Sequence, residues 1–137
     1  YSPVAQQAVN LMVAERKVIK ELAEKQDCVI VGRGANKILE KEEPFNIFIY
    51  ADMESKMARC RERAPEDEHL TDRELTKKIR QVDAARAKTQ EMLSDFKWGD
   101  KRWYHLCVNT SGLPIPETAP LVAEYAKHWF ERKERYR

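Results

Sequence analysis

The chain has 137 residues, 42% of them hydrophobic and 35% charged, and its 25 basic and 23 acidic side chains leave a formal net charge of +2. That length carries one domain with one core, and so even a charge balance calls for neither nucleic acid nor an anionic membrane as partner. No apolar run approaches the span of a bilayer and no signal-peptide pattern is read at the start, so a cytoplasmic protein is expected.

Ser2-Pro3 is a helix-entry signal, and Ala5, Ala8, Val9, Met12, Ile19, Leu22 and Ala23 recur at helical spacing, which predicts one amphipathic helix from Val4 to about Gln26. Cys28 to Gly32 is an apolar run with the length and composition of a parallel strand buried on both faces. It ends in Gly32-Arg33-Gly34, which sets a positive fork at the carboxyl end of a strand, where open α/β sheets bind ligands. That arrangement suits a phosphate; a buried strand turning into a helix beside an incidental surface arginine explains it as well. Ala35 to about Lys41 reads as a short helix, closed by an acidic loop and Pro44.

Asn46 to Ala51 is a second apolar strand, and Asp52 caps a helix over 53–63. The polar loop 64–69 follows. Thr71-Asp72-Arg73-Glu74 fits a capping box and opens a long helix to about Phe96, broken by Gly99. Trp103 to Val108 is a third strand, 110–116 a turn-rich loop, and the last helix runs from about Glu117 into a basic tail at 132–137. Three apolar strands alternating with helices predict an α/β parallel sheet. There are no internal repeats, and the loop at 64–70 is placed to hinge a helical flap.

Lys56, Arg59 and Arg63 fall on one helical stripe, with Arg61 on another face; a solvated charged face accounts for the spacing alone. Arg80, Asp83 and Arg86 share a face of the long helix. They form either a local Asp83–Arg86 ion pair or an arginine arm that folds over polyphosphate with Asp83 orienting it. The loop Asn109–Pro114 can cradle a base or ribose, or simply join a strand to a helix. Trp98, Trp103 and Tyr104 read as anchors of the long helix. The three cysteines, Cys28, Cys60 and Cys107, form no C-x-x-C pair and give no metal-ligand spacing with the histidines, so they read as reduced thiols and no metal site is expected. The tail residues Arg132, Lys133, Arg135 and Arg137 read as a solvated helix end.

Taken in order, Gly-Arg-Gly after a strand, Ala-Asp after the next, a helix with Arg59, Asp-x-x-Arg on a long helix, and Asn-Thr-Ser at a third strand end make a pattern. The chain resembles the cytidylate-kinase-like family of P-loop nucleoside monophosphate kinases through nearly its whole length. Val29–Gly34, Asn46–Arg63, Asp83–Arg86 and Tyr104–Ser111 are the most specific parts. The resemblance implies a three-layer α/β/α parallel sheet of the P-loop kinase type. It also implies transfer of the γ-phosphoryl of ATP, with Mg2+, to a nucleoside monophosphate, CMP-like, in the intact protein. By the same resemblance Arg33, with Gly32, Gly34 and Arg80, meets the acceptor; Arg59 and Arg63 face the donor phosphates. Asp83 and Arg86 belong to a lid arm at about 64–97, and Thr110, Ser111 and Gly112 lie near the donor base.

Two departures go with it. Gly34 stands where the cytidylate kinases proper carry an aspartate, and no G-x-x-x-x-G-K-[ST] occurs among the four glycines Gly32, Gly34, Gly99 and Gly112. In the family the P-loop strand sits between the strands matching 28–32 and 46–51. The chain is therefore expected to be the carboxyl-terminal part of one kinase-like domain, lacking its first strand and inactive alone, and an incomplete sheet invites homo-oligomers. The rival readings are a non-catalytic nucleotide-binding or regulatory protein of the same fold, and an interaction domain built on long helices.

Overall fold

A serine followed by proline opens the chain's first helix in the expected way: Ser2 Oγ accepts the amide of Ala5 at 3.1 Å, and Pro3 occupies the first turn, where no amide donor is needed. The computed structural model describes residues 2–135, and side chains as far as 132. Its elements are α1 (Pro3–Lys25), α2 (Ala35–Ile38), β1 (Ile47–Tyr50), α3 (Met53–Arg63), α4 (Asp72–Leu93), β2 (Leu106–Asn109) and α5 (Ile115–Arg135), with 3-10 turns at Glu40–Glu42 and Lys101–Trp103. The tail side chains of Lys133, Arg135 and Arg137 lie outside the described residues. No helix among the described residues is long and apolar enough to cross a membrane.

The chain divides into two compact units, Tyr1–Pro44 with Arg86–Trp98, and Phe45–Ala85 with Gly99–Arg137. The first is held by Ile19 of α1, packed with Ala35 and Leu39 and flanked by Ala23, Ile30 and Ile38. Gln90 donates to Asn36 Oδ1 at 3.1 Å and to Ser94 Oγ at 2.8 Å. Ser94 Oγ also accepts the amide of Phe96, so α4 ends at Leu93, three residues before the expected stop.

In the second unit β1 and β2 form a parallel pair in the register Ile47–Leu106, Phe48–Cys107, Ile49–Val108 and Tyr50–Asn109. Phe48 packs its ring 5.0 Å from that of Tyr104. Phe45 gathers His105, Tyr125, Trp129 and Phe130 around it, with ring centroids 5.1 to 6.1 Å away. The His105 ring accepts the Asn46 amide through Nδ1 at 2.9 Å, which requires the neutral tautomer protonated on Nε2. The capping box is reciprocal as expected: Glu74 N–H donates to Thr71 Oγ1, and Thr71 N–H to Glu74 Oε1.

The architecture is mixed α/β and, among the described residues, has five helices and a parallel sheet of two strands rather than three. Residues 28–31 are irregular and enter no ladder among the described residues; Val29 is 94% and Val31 89% exposed. Apolar composition suits a segment for burial between layers but supplies no backbone partner, and a strand exists only through its neighbour. The expected two-sided burial of the second strand fails for the same reason, since among the described residues β1 pairs with β2 alone and leaves Ile47 and Ile49 exposed. The strand expected from Trp103 begins at Leu106, because Asp100 accepts the Arg102 amide and winds 101–103 into a 3-10 turn.

Candidate functional site

Both strands of the second unit deliver their carboxyl ends to one polar junction. Beyond β1, Asp52 caps α3 by accepting the Ser55 amide at 2.8 Å. Beyond β2, Thr110 N–H donates to Tyr50 O at 2.8 Å, extending the ladder by one bond. The loop after β2 is then sewn onto α3: Asp52 N–H donates to Ser111 Oγ at 2.7 Å and Gly112 N–H to Ser55 Oγ at 2.9 Å. Hydrogen bonds from the Ser55 hydroxyl and amide, with smaller help from Ser111 and the Arg59 charge, hold the Asp52 carboxyl below its ordinary value.

Arg59 completes the junction. Its Nη1 donates to Thr110 Oγ1 at 2.9 Å, while Nη2 reaches the carbonyls of Thr110 and, at 3.1 Å, Leu113. Thr110, 1% exposed, donates its own hydroxyl hydrogen bond to Tyr50 O at 3.0 Å. The guanidinium fork is thus matched to a set of fixed acceptors, an arrangement a lysine ammonium cannot copy. Arg63 donates its Nε to Arg59 O and is exposed. One turn before Arg59, Lys56 pairs with Asp83 of α4 at 2.6 Å, with side chains 31% and 24% exposed. Helical spacing alone offered Asp83 an arginine partner in Arg86; the carboxylate takes a lysine from another helix instead.

In the first unit Gly32, Arg33 and Gly34 are all left-handed, with φ of 71°, 60° and 66°. Ala35 N–H closes the turn onto Gly32 O at 3.2 Å. A non-glycine residue in this region costs about 1–2 kcal/mol, so Arg33 is held there by its surroundings. Its side chain is 67% exposed and meets Glu15 Oε1 at 3.6 Å. Gly34 has no such freedom to be anything else: a Cβ there would stand 3.0 Å from Leu93 Cβ and Cδ1. Gly34 is therefore packed under α4.

Of the expected site residues, the structure brings together Arg59, Thr110, Ser111 and Gly112, and separately Asp83 with Lys56. Arg80 lines a cleft on α4. Gly32, Arg33, Gly34 and Arg86 belong to the first unit, and Arg86 is exposed and without an ionic or hydrogen-bonded partner among the described residues. No group of three or more His, Cys, Asp or Glu side chains able to hold a metal occurs among the described residues.

The sequence model of the cytidylate kinase-like family matches residues 5–112, well over half of the chain and all of the junction just described except Leu113. The chain belongs to the cytidylate kinase-like family. Membership makes it a nucleotide kinase-like protein in general terms. A crystal structure of an uncharacterized protein from Eubacterium ventriosum ATCC 27560 is similar, with a TM-score of 0.74 and 25% identity over 85% of this chain and 71% of that one. No curated protein matches.

For this cytidylate kinase-like chain, sequence reasoning overlooked Ser55 and the partnership of Lys56. Ser55 is the third residue after the cap Asp52, where its amide is an ordinary capping donor; that its hydroxyl takes Gly112 N–H is a tertiary contact with no local signal. Lys56 carried the signal of lying on the Arg59 stripe, but its partner is 27 residues away.

Proposed function

We propose that the intact protein transfers the γ-phosphoryl group of ATP to a nucleoside monophosphate, CMP-like in class. The observation that carries this reading is the family match across residues 5–112, which spans every arginine the reading uses. On it, Arg33 meets the acceptor phosphate with Gly32, Gly34 and Arg80; Arg59 and Arg63 face the donor phosphates. Asp83 and Arg86 belong to the lid arm, and Thr110, Ser111 and Gly112 lie near the donor base. The donor set fits phosphate oxygens, since it is rich in guanidinium groups. Magnesium would arrive on the nucleotide phosphates and neutralise their charge. The chain's own share of the work is to hold two nucleotides in line and to place positive charge.

Arg59 spends three of its five N–H donors on Thr110 and Leu113, so on this reading the remaining Nη1 and Nε donors face the donor phosphates. A second reading, a non-catalytic nucleotide-binding or regulatory protein of the same fold, is favoured by Gly34, which stands where the cytidylate kinases proper carry an aspartate. A coupled ADP-release assay on the intact protein, with ATP, Mg2+ and a panel of monophosphates, tests the first reading. Turnover with a pyrimidine monophosphate is expected. Saturable nucleotide binding with no turnover on any acceptor would select the second, and no binding at all would reject both.

A further inference from the structure

We propose that the first three turns of α4, facing Met57 of α3, form a binding cleft for a linear oligophosphate. This inference does not rest on the kinase reading. The cleft is open, about 760 Å³ in volume, and Met57, Thr76 and Ala84 contribute to its lining together with Arg73, Lys77 and Arg80. The three cations follow the i, i+4, i+7 rule and so run along one side of the helix. At 1.5 Å per residue Arg73 and Arg80 are separated by about 10 Å along the axis, too far for one orthophosphate to bridge and suited to an extended polyanion.

What distinguishes this stripe from an ordinary solvated face is its lack of compensation. Arg73, Lys77 and Arg80 have no ion pair or hydrogen bond among the described residues, whereas the carboxylates placed to neutralise them are committed elsewhere. Asp72, which lines the cleft, holds Arg61. Glu74, three residues before Lys77, reaches back to the Thr71 amide, and that bond holds its carboxyl below the ordinary value. Asp83, three residues after Arg80, holds Lys56, and Glu68 meets Lys78 at 3.8 Å. The amino-terminal end of α4 adds the positive pole of the helix dipole to the same end of the stripe. Three unpaired cations in a concavity with a thioether and a methyl floor attract a multivalent anion far more than a monovalent one.

The test is calorimetric titration of the full chain with sodium tripolyphosphate, orthophosphate and magnesium-free ATP at matched ionic strength. Saturable tripolyphosphate binding at least tenfold tighter than orthophosphate is expected. An ATP affinity equal to that of tripolyphosphate, with mutual competition, would assign the cleft to a nucleotide's phosphate tail; a preference for tripolyphosphate would assign it to the free chain. R73Q/K77Q should weaken tripolyphosphate binding at least tenfold with the unliganded melting temperature unchanged, while K17Q/K20Q on α1 should leave binding as it was. Equal weakening by both pairs, or undiminished binding to R73Q/K77Q, overturns the proposal. Should R73Q/K77Q not fold, Q81K adds a cation to the same lining and must tighten binding; unaltered or weaker affinity is equally fatal. Kinase turnover plays no part in these readouts, so failure of either reading can be told from failure of the other.

Discussion

Arg59 grips Thr110 from two directions, its Nη1 on the hydroxyl at 2.9 Å and its Nη2 on the carbonyl. Because that hydroxyl also donates to Tyr50 O, one buried oxygen joins α3, the end of β1 and the loop after β2. Thr110→Val keeps the shape and deletes the oxygen, leaving one guanidinium N–H without its acceptor, while Tyr50 O keeps only the backbone amide of residue 110. Denaturant unfolding is expected to show a loss of about 1–3 kcal/mol, and Thr110→Ser a clearly smaller one. Equal losses for the two would mean that the methyl group, and not the hydrogen bonds, secures the junction.

Gly34 is held by two independent constraints, a φ of 66° and the side chain of Leu93. Gly34→Ala should cost about 1–2 kcal/mol for the left-handed backbone, and more for the Cβ pressed against Leu93. Gly34→Asp tolerates the left-handed backbone better yet meets the same Leu93 atoms. It is expected to destabilise the chain without restoring an acceptor contact. A double-mutant cycle with Leu93→Ala should recover part of the loss; strict additivity would show that the contact carries nothing.

These two positions show what was legible. The elements came from local chemistry: Ser2-Pro3, the Asp52 cap and the Thr71–Glu74 box each name a helix start in a few residues, and each forms as expected. The strand expected at 28–32 did not form, because its composition describes an environment while a ladder needs a partner, and no local pattern reveals whether one is in reach. At the site, spacing identified Arg59 and Asp83 as noteworthy but not their partners. Thr110 is 51 residues from Arg59, and Lys56 is 27 from Asp83. Gly34 was noticed as a departure; only the fold shows Leu93 beside it.

The acid limb of stability should bear the mark of Asp52. Its carboxyl titrates below the ordinary 3.8 in the folded chain, so between the two values the unfolded state binds more protons and stability rises with pH. The contribution is complete above the unfolded value and is lost as pH falls through the folded one. Asp52→Asn keeps a capping oxygen but cannot titrate. Its stability profile from pH 5 downward should be flatter than that of the parent chain; parallel acid limbs would place the titrating group elsewhere.

The final prediction separates Asp83 from Arg86, two residues that helical spacing alone would couple. Asp83→Asn removes the partner of a partly buried Lys56 and should lower stability by up to about 1 kcal/mol, an effect absent when Lys56 is already Met. Arg86→Ala touches an exposed side chain with no partner among the described residues, so stability should change by less than about 0.5 kcal/mol. On the proposed function it should nonetheless lower kcat of the intact protein by roughly a thousandfold, as expected for a cation that stabilises a transferring phosphoryl group. The comparison is informative in both directions. If Asp83 served chiefly to orient Arg86, Asp83→Asn would reproduce the kcat loss of Arg86→Ala; since the structure engages Asp83 with Lys56, its kcat loss should be the smaller. An Arg86→Ala variant with undiminished turnover would remove Arg86 from the lid arm's chemistry altogether.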